Sequence, residues 1–167
     1  MRVRRILILC QLAGSPLLAA QEGPHTARPV LAWVSAGVGG GTQGFAAAAG
    51  ADLLLSRHLI SFRTAGVANI FEDGFWDFAI LYGRAGRWSH GLVALSAGLA
   101  VMDGERCGGG IGSSCVPLAA RISLPLAGRV AWHALPNLGV GLYGFANLNG
   151  ERSFAGAVAA VELGRLR

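Results

Sequence analysis

Apolar residues alternate with small or polar residues along most of this chain, and alternation with a period of two predicts β-strands. The pattern is clearest in the segment Val116–His133, where most even-numbered positions are apolar and the odd-numbered positions include Arg121, Arg129 and His133. Such a strand presents one apolar and one polar face. Because Pro125 lacks an N–H group, we expect an edge or a bulge where it interrupts this segment.

The same pattern divides residues 29–167 into eight segments, which clusters of Gly, Pro, Asn, Asp or Arg separate. The segments are Pro29–Gly39, Phe45–Ser56, Leu59–Asn69, Phe75–Arg84, Ser89–Met102, Val116–His133, Leu138–Asn147 and Ser153–Gly164. An even number of strands returns both ends of the chain to the same side of a membrane. The predicted fold is therefore all-β, an eight-stranded antiparallel up-and-down transmembrane β-barrel.

The composition favours a membrane protein of this kind. Hydrophobic residues make up 53% of the 167 residues. Beyond the N-terminus, however, no apolar run approaches the roughly 20 residues of a membrane-spanning helix, and the 26 glycines also disfavour helices. Strands that meet lipid with every second residue explain both features, so we predict a location in the cell outer membrane.

Residues Met1–Ala20 have the features of a secretory signal. They begin with the positive charges of Arg2–Arg5, continue with an apolar stretch and end with Ala19-Ala20. We predict cleavage after Ala20 and a polar periplasmic lead-in over residues 21–28. A membrane anchor is the alternative, but an apolar stretch of ~15 residues is short for one.

The net charge of +5 does not indicate a nucleic-acid partner. All 14 basic residues are Arg, and three of them lie in the predicted signal, which leaves 11 Arg against 9 acidic residues. No cluster of Arg with interleaved aromatic residues remains, so nucleic-acid binding is excluded.

Residues at the predicted strand ends indicate an orientation. With both ends of the chain in the periplasm, the outer connections are 39–44, 70–74, 103–115 and 148–152, and the inner ones are 57–58, 85–88 and 134–137. Most acidic residues then lie outside, and many Arg residues lie at the inner rim. We predict an outer aromatic girdle of Phe45, Phe75, Trp76 and Phe154, and an inner girdle of Tyr82, Trp88 and Trp132.

Cys107 and Cys115 are the cysteines that follow the predicted signal, and the Gly- and Ser-rich residues between them allow the two to meet. An even pair in an exported protein predicts a disulfide. A metal site is the alternative, but no His or acidic residue lies between the cysteines. We predict no metal and no other cofactor.

Inward-facing charges should find partners inside the barrel, because eight strands enclose a lumen that side chains just fill. A two-residue turn at Arg57-His58 places Asp52 directly opposite Arg63, and we predict an ion pair between them. Further candidates for lumen ion pairs are Asp77, Arg121, Arg129 and Glu162. These charges either cross-link and plug the lumen or form a gated or proton-conducting polar path.

No group of residues predicts catalysis. The four His residues are scattered, and the one adjacent Ser–His pair, Ser89-His90, should point to opposite faces of a strand. Outer-membrane lipid A deacylases are barrels with Ser–His chemistry, but no matching motif is present. We therefore predict that the protein is not an enzyme.

Near the C-terminus, Gly139–Asn149 is followed by Ser153–Gly156 and Leu163–Arg167. This hairpin resembles uncharacterised small bacterial outer-membrane β-barrel proteins, and the rest of the chain is similar in architecture to OmpX and to the membrane domain of OmpA. The resemblance implies insertion by the barrel-assembly machinery, contact with outer-membrane lipid and no shared catalytic residues.

These features favour a structural or interaction protein with a plugged lumen. The alternatives are a narrow pore or small-solute transporter, a lipid-modifying enzyme, and a soluble ligand-binding barrel. The sequence predicts neither a ligand nor an oligomeric state. Small residues on the lipid-facing phase indicate either a protein contact or simple exposure to lipid; they are Ala47, Ala49, Ala51 and Ala97.

We expect the protein to fractionate with outer membranes and to migrate differently on a detergent gel before and after boiling. A closed barrel keeps its paired backbone in detergent until it is heated, so the unboiled form is more compact. Recovery in the soluble fraction, or the same migration in both lanes, would contradict the predicted fold.

Overall fold

The chain folds as a closed barrel of eight antiparallel strands, and the predicted fold class is confirmed. The computed structural model describes residues 30–69, 74–107, 115–150 and 152–167. The strands are β1 (Leu31–Gly41), β2 (Gly44–Leu55), β3 (His58–Ala68), β4 (Gly74–Trp88), β5 (Gly91–Cys107), β6 (Cys115–Leu135), β7 (Leu138–Leu148) and β8 (Phe154–Arg165). Consecutive strands pair, and β1 pairs with β8 to complete the ring. The predicted signal and lead-in lie outside the described residues and stay predictions.

The two ends of the barrel differ. Two-residue turns at Ser56–Arg57, Ser89–His90 and Pro136–Asn137 lie at the end where β1 begins and β8 ends, which we call the turn end. The opposite end, the loop end, holds the other connections, including the turn Thr42–Gln43. Among the described residues, no helix is long and apolar enough to cross a membrane.

Every predicted segment corresponds to a strand, but the connection predicted at residues 85–88 is wrong. Residues 85–88 belong to β4, because Ala85 pairs with Ala94 and Trp88 pairs with Gly91. Gly and Arg in this segment suggested a turn from the sequence alone. Pairing with β5 continues through them, since a partner strand can override weak local preferences.

The barrel is apolar outside and charged inside, the reverse of a soluble domain. The outward side chains of Phe78, Leu95 and Leu99 are 64%, 71% and 69% exposed, whereas the inward Asp77 and Glu162 are 0% and 1% exposed. Every backbone ladder closes on a neighbouring strand, so no strand edge meets hydrocarbon. A surface of this kind is stable only in lipid.

Pro125 interrupts one ladder without the expected edge or bulge. Pairing between β5 and β6 passes from Ala97–Leu126 to Ala100–Ser123 in an unchanged register, so the positions around Pro125 form a gap in the ladder. On its other side, Pro125 pairs normally with Asn147 of β7. Because only the missing N–H has to be accommodated, a local gap is sufficient.

The β5–β6 hairpin projects beyond the other described strands at the loop end. Pairing of β6 with β7 begins only at Leu124, so residues 115–123 of β6 pair with β5 alone. An irregularity between Met102 and Gly104 lies in this extension, and Cys107 and Cys115 are opposite one another in its ladder. The disulfide itself stays a prediction.

A charge placed on the central outward face should destabilise the barrel more than one on the extension. We expect Leu99→Arg to lower the free energy of unfolding by about 2–4 kcal/mol, because its guanidinium would enter hydrocarbon. Val116→Arg is the matched control, since Val116 is 62% exposed on the extension, and its effect should be about 0–1 kcal/mol. Urea unfolding in lipid vesicles measures both values, and equal effects would show that Leu99 does not face lipid.

Candidate functional site

Arg129 is the centre of the first of two charged clusters in the lumen. Its Nη1 atom, reached from β6, lies 2.8 Å from Oδ2 of Asp52 on β2 and 3.2 Å from Oε1 of Glu162 on β8. Its guanidinium carbon lies 5.6 Å from the ring centre of Trp33 and 5.0 Å from that of Tyr143. Cation–π contacts and two carboxylates therefore hold one buried cation from several walls of the barrel.

Arg63 is the centre of the second cluster. From β3, its Nη2 atom pairs with Oδ2 of Asp77 on β4, and its Nη1 atom donates across the lumen to the Leu126 carbonyl oxygen at 3.3 Å. Asn147 on β7 also donates to Asp77, at 2.7 Å, and the Phe145 ring centre lies 5.6 Å from the guanidinium carbon. This cluster spans the lumen at a second level.

Ser61, His133 and Arg167 extend the Arg129 cluster. The Ser61 hydroxyl donates to Oδ1 of Asp52 at 2.5 Å, and Nε2 of His133 lies 3.6 Å from Oε2 of Glu162. Arg167 donates to the His133 carbonyl oxygen at the turn end. A space of about 10 Å³, lined by residues of both clusters, holds no more than about one water molecule. Side chains thus fill this part of the lumen.

The predicted pairing of Asp52 with Arg63 is wrong. The turn lies at Ser56–Arg57 instead of Arg57-His58, so Asp52 pairs with Ser61 in the ladder and Arg63 lies opposite Gly50. Moving a turn by one residue shifts every pair by two positions and leaves each side chain on its original face. The observed register brings Leu54 beside Leu59 in the apolar cluster at the turn end.

Of the six candidates for lumen ion pairs, the structure buries Asp52, Arg63, Asp77, Arg129 and Glu162 in the lumen. Arg121 is exposed instead. It has the inward phase, opposite Met102, but lies on the β5–β6 extension, where no other strand encloses it. The phase was predicted correctly, and only the tertiary structure shows where the lumen ends.

Sequence reasoning missed several residues of the two clusters. Tyr143, Phe145 and Asn147 share the inward phase of β7, so alternation contained the signal for them. Trp33, whose direction the weak pattern of the first segment left open, is 3% exposed and faces the lumen. Ser61 shares the inward phase of Arg63, but its contact with Asp52 became identifiable only through the register of β2 with β3.

The aromatic girdles are smaller than predicted. Five of the seven predicted members are exposed on the outward face: Phe45, Trp76, Tyr82, Trp88 and Trp132. Phe75 and Phe154 instead lie inside the barrel, 3% and 2% exposed. Phe75 has the same phase as Asp77, and Phe154 the same phase as Glu162, so an inward charge requires an inward phenylalanine on each strand.

The sequence predicted that Ser89 and His90 lie on a strand. In the structure they form the β4–β5 turn. The Ser89 Oγ atom is 2.8 Å from Nδ1 of His90, and both residues are exposed. Among the described residues, no carboxylate pairs with this imidazole. A hydroxyl and an imidazole alone lack the third, orienting group of a hydrolytic site.

No protein-family model matches this sequence, and no curated protein matches it. Solved structures match it at low identity. Neisserial surface protein A (NspA) has a TM-score of 0.59 and 14% identity, covering 80% of this chain and 94% of that chain. The N-terminal β-barrel domain of Pseudomonas aeruginosa OprF has a TM-score of 0.58 and 10% identity, covering 80% and 96%. Ail, the attachment invasion locus protein of Yersinia pestis, has a TM-score of 0.51 and 9% identity, covering 82% and 97%.

This chain has the fold of a small outer-membrane β-barrel. Its outward face is apolar, and its closed ring of strands has no free edge. A β-sheet protein needs both features to be stable in lipid. Fold and surface together place the protein in the cell outer membrane. The lumen clusters are therefore the interior of an outer-membrane barrel.

Removing the cation of the first cluster should destabilise the barrel strongly. We expect Arg129→Met to lower the free energy of unfolding by about 3–5 kcal/mol, because Asp52 and Glu162 would remain buried without their partner. Adding Asp52→Asn and Glu162→Gln to that variant should restore part of the loss. Urea unfolding in vesicles tests this, and a triple variant less stable than the single variant would show that the carboxylates do not depend on Arg129.

Proposed function

We propose that this protein is a structural or interaction barrel of the outer membrane with a closed lumen and no catalytic activity. The observation that carries the proposal is that guanidinium groups bridge separate walls of the lumen at two levels. Arg129 connects β6 to β2 and β8, and Arg63 connects β3 to β4 and β6. A solute would have to break a buried ion pair at each level, which costs several kcal/mol.

The β5–β6 extension is the element we assign to interaction. Of the described strands it extends furthest at the loop end, and its side chains include Val116, 62% exposed, and Ile122, 80% exposed. Arg121 is also exposed, on the opposite face of β6 from the neighbouring Ile122. One matched structure is that of Ail, the attachment invasion locus protein of Yersinia pestis, which was also solved in complex with the heparin analogue sucrose octasulfate. That similarity supports an interaction role for a barrel of this fold.

A narrow pore is the second candidate, because the lumen is polar. Planar-bilayer recording separates the two functions: we expect no steady conductance from the native protein, since the ion pairs occupy the lumen. Arg63→Ser combined with Arg129→Ser should create a measurable conductance by removing both bridges. Arg165→Ser, which removes an exposed Arg at the turn end, is the control and should remain closed.

Steady conductance by the native barrel would overturn the proposal in favour of the pore. The shift in gel migration on boiling shows whether each variant has folded. Incubation with lipid A tests the proposed lack of lipid-modifying activity, and we expect its acyl chains to be unchanged.

A further inference from the structure

Three polar side chains form a cluster on the outward face near the turn end. His58 is the first residue of β3 and pairs in the ladder with Arg84 of β4. Tyr82 precedes Arg84 by two residues and lies on the same face of β4. Nδ1 of His58 is 2.5 Å from the Tyr82 hydroxyl oxygen, and all three side chains are exposed. A cation and two hydrogen-bonding groups therefore point outward from β3 and β4, beside the turn Ser56–Arg57.

No protein carboxylate compensates this cluster within the described part of the chain. Asp52, Asp77 and Glu162 are enclosed in the lumen, and Asp103 and Glu105 lie towards the loop end. Within the same residues, the Arg84 guanidinium makes no hydrogen bond or ion pair. An Arg on the lipid side of a barrel is costly near hydrocarbon, so its stable partner is an anion that the membrane itself supplies.

Two apolar grooves meet beside this cluster. One groove, of about 680 Å³, runs from Tyr82 and Arg84 over strands β5–β7. It forms because Gly128, Gly144 and Ala146 at its floor carry little or no side chain. The other, of about 1070 Å³, runs from Tyr82 towards the loop end between β3 and β5; it is lined by Phe62, Ile80 and Leu99, among others. Tyr82 and Ala97 line both grooves.

We propose that this surface binds one anionic glycerophospholipid, with its phosphate on Arg84, His58 and Tyr82 and one acyl chain in each groove. Two grooves that diverge from one anion-binding cluster match a lipid with one phosphate and two chains. A guanidinium binds phosphate oxygens through paired N–H groups. A zwitterionic headgroup is disfavoured because its ammonium would find Arg57 and Arg84 nearby and no described carboxylate. This site is independent of the closed lumen.

The test measures lipid retention by native mass spectrometry of the folded full-length barrel. Phosphatidylglycerol and phosphatidylethanolamine with identical chains are offered at equal concentration. We expect preferential retention of phosphatidylglycerol and at least about tenfold weaker retention by Arg84→Gln, because a charge-assisted hydrogen bond is lost. Arg165→Gln is the matched control: it removes an equal, exposed charge at the turn end, on β8, which is not adjacent to β4. It should leave retention unchanged.

A second variant tests the groove separately from the charge. Gly144→Leu fills the groove over β5–β7, and its Cβ would lie 3.9 Å from the nearest atom, so the backbone need not move. We expect it to weaken phosphatidylglycerol retention. Gel migration before and after boiling confirms that each variant has folded.

Three results would overturn the proposal. Equal loss in Arg84→Gln and Arg165→Gln would show attraction by diffuse surface charge, and equal retention of the two lipids would show that the headgroup is not recognised. Displacement of the lipid by inorganic phosphate, together with unchanged retention by Gly144→Leu, would show a phosphate site without lipid specificity. None of these results depends on whether the lumen conducts.

Discussion

Pairing between β1 and β8 is the constraint on which the rest of this structure depends. It removes the last free strand edge, so every strand has a hydrogen-bonding neighbour on both sides and the outer surface can be apolar. Closure also divides the alternating side chains into an outward set and a lumen of limited width. Because eight strands leave a space that side chains fill, each inward charge has to find its partner within that space.

The two Arg clusters are the solution to that requirement. Arg129 has carboxylate partners on β2 and β8, whereas Arg63 pairs with β4 and also reaches β6. Buried ion pairs are weak evidence for net stability, because desolvation offsets their attraction. Their larger consequence here is geometric: a register shift between any of these strands would separate a guanidinium from its partner and leave a buried charge. In the proposed function, the same contacts also close the lumen to solutes.

With the lumen closed as we propose, function depends on the outer surfaces, and two of these lie at opposite ends of the barrel. The β5–β6 extension projects from the loop end, outside the ring of paired strands. The cluster of His58, Tyr82 and Arg84 lies near the turn end, on the outward face. Neither surface shares a side chain with the lumen clusters. Changes in one can therefore leave the closed barrel intact, which is how a rigid scaffold supports variable recognition.

Alternation along the sequence was sufficient to determine the number of strands, their antiparallel order and most of the inward phases, because side-chain direction in a strand depends only on position parity. The same rule could have placed Phe75 and Phe154 inside, given Asp77 and Glu162. The register of β2 with β3 and the extent of β4 could not be read in this way, because one residue more or less in a turn changes every pair along the ladder. The contact of Arg63 with Asp77 depended on the register of β3 with β4. Only the closed barrel decided that Asp52 meets Arg129 and that Arg121 lies beyond the lumen, since Asp52 and Arg129 lie on strands that are not neighbours and meet across a space that exists only after closure.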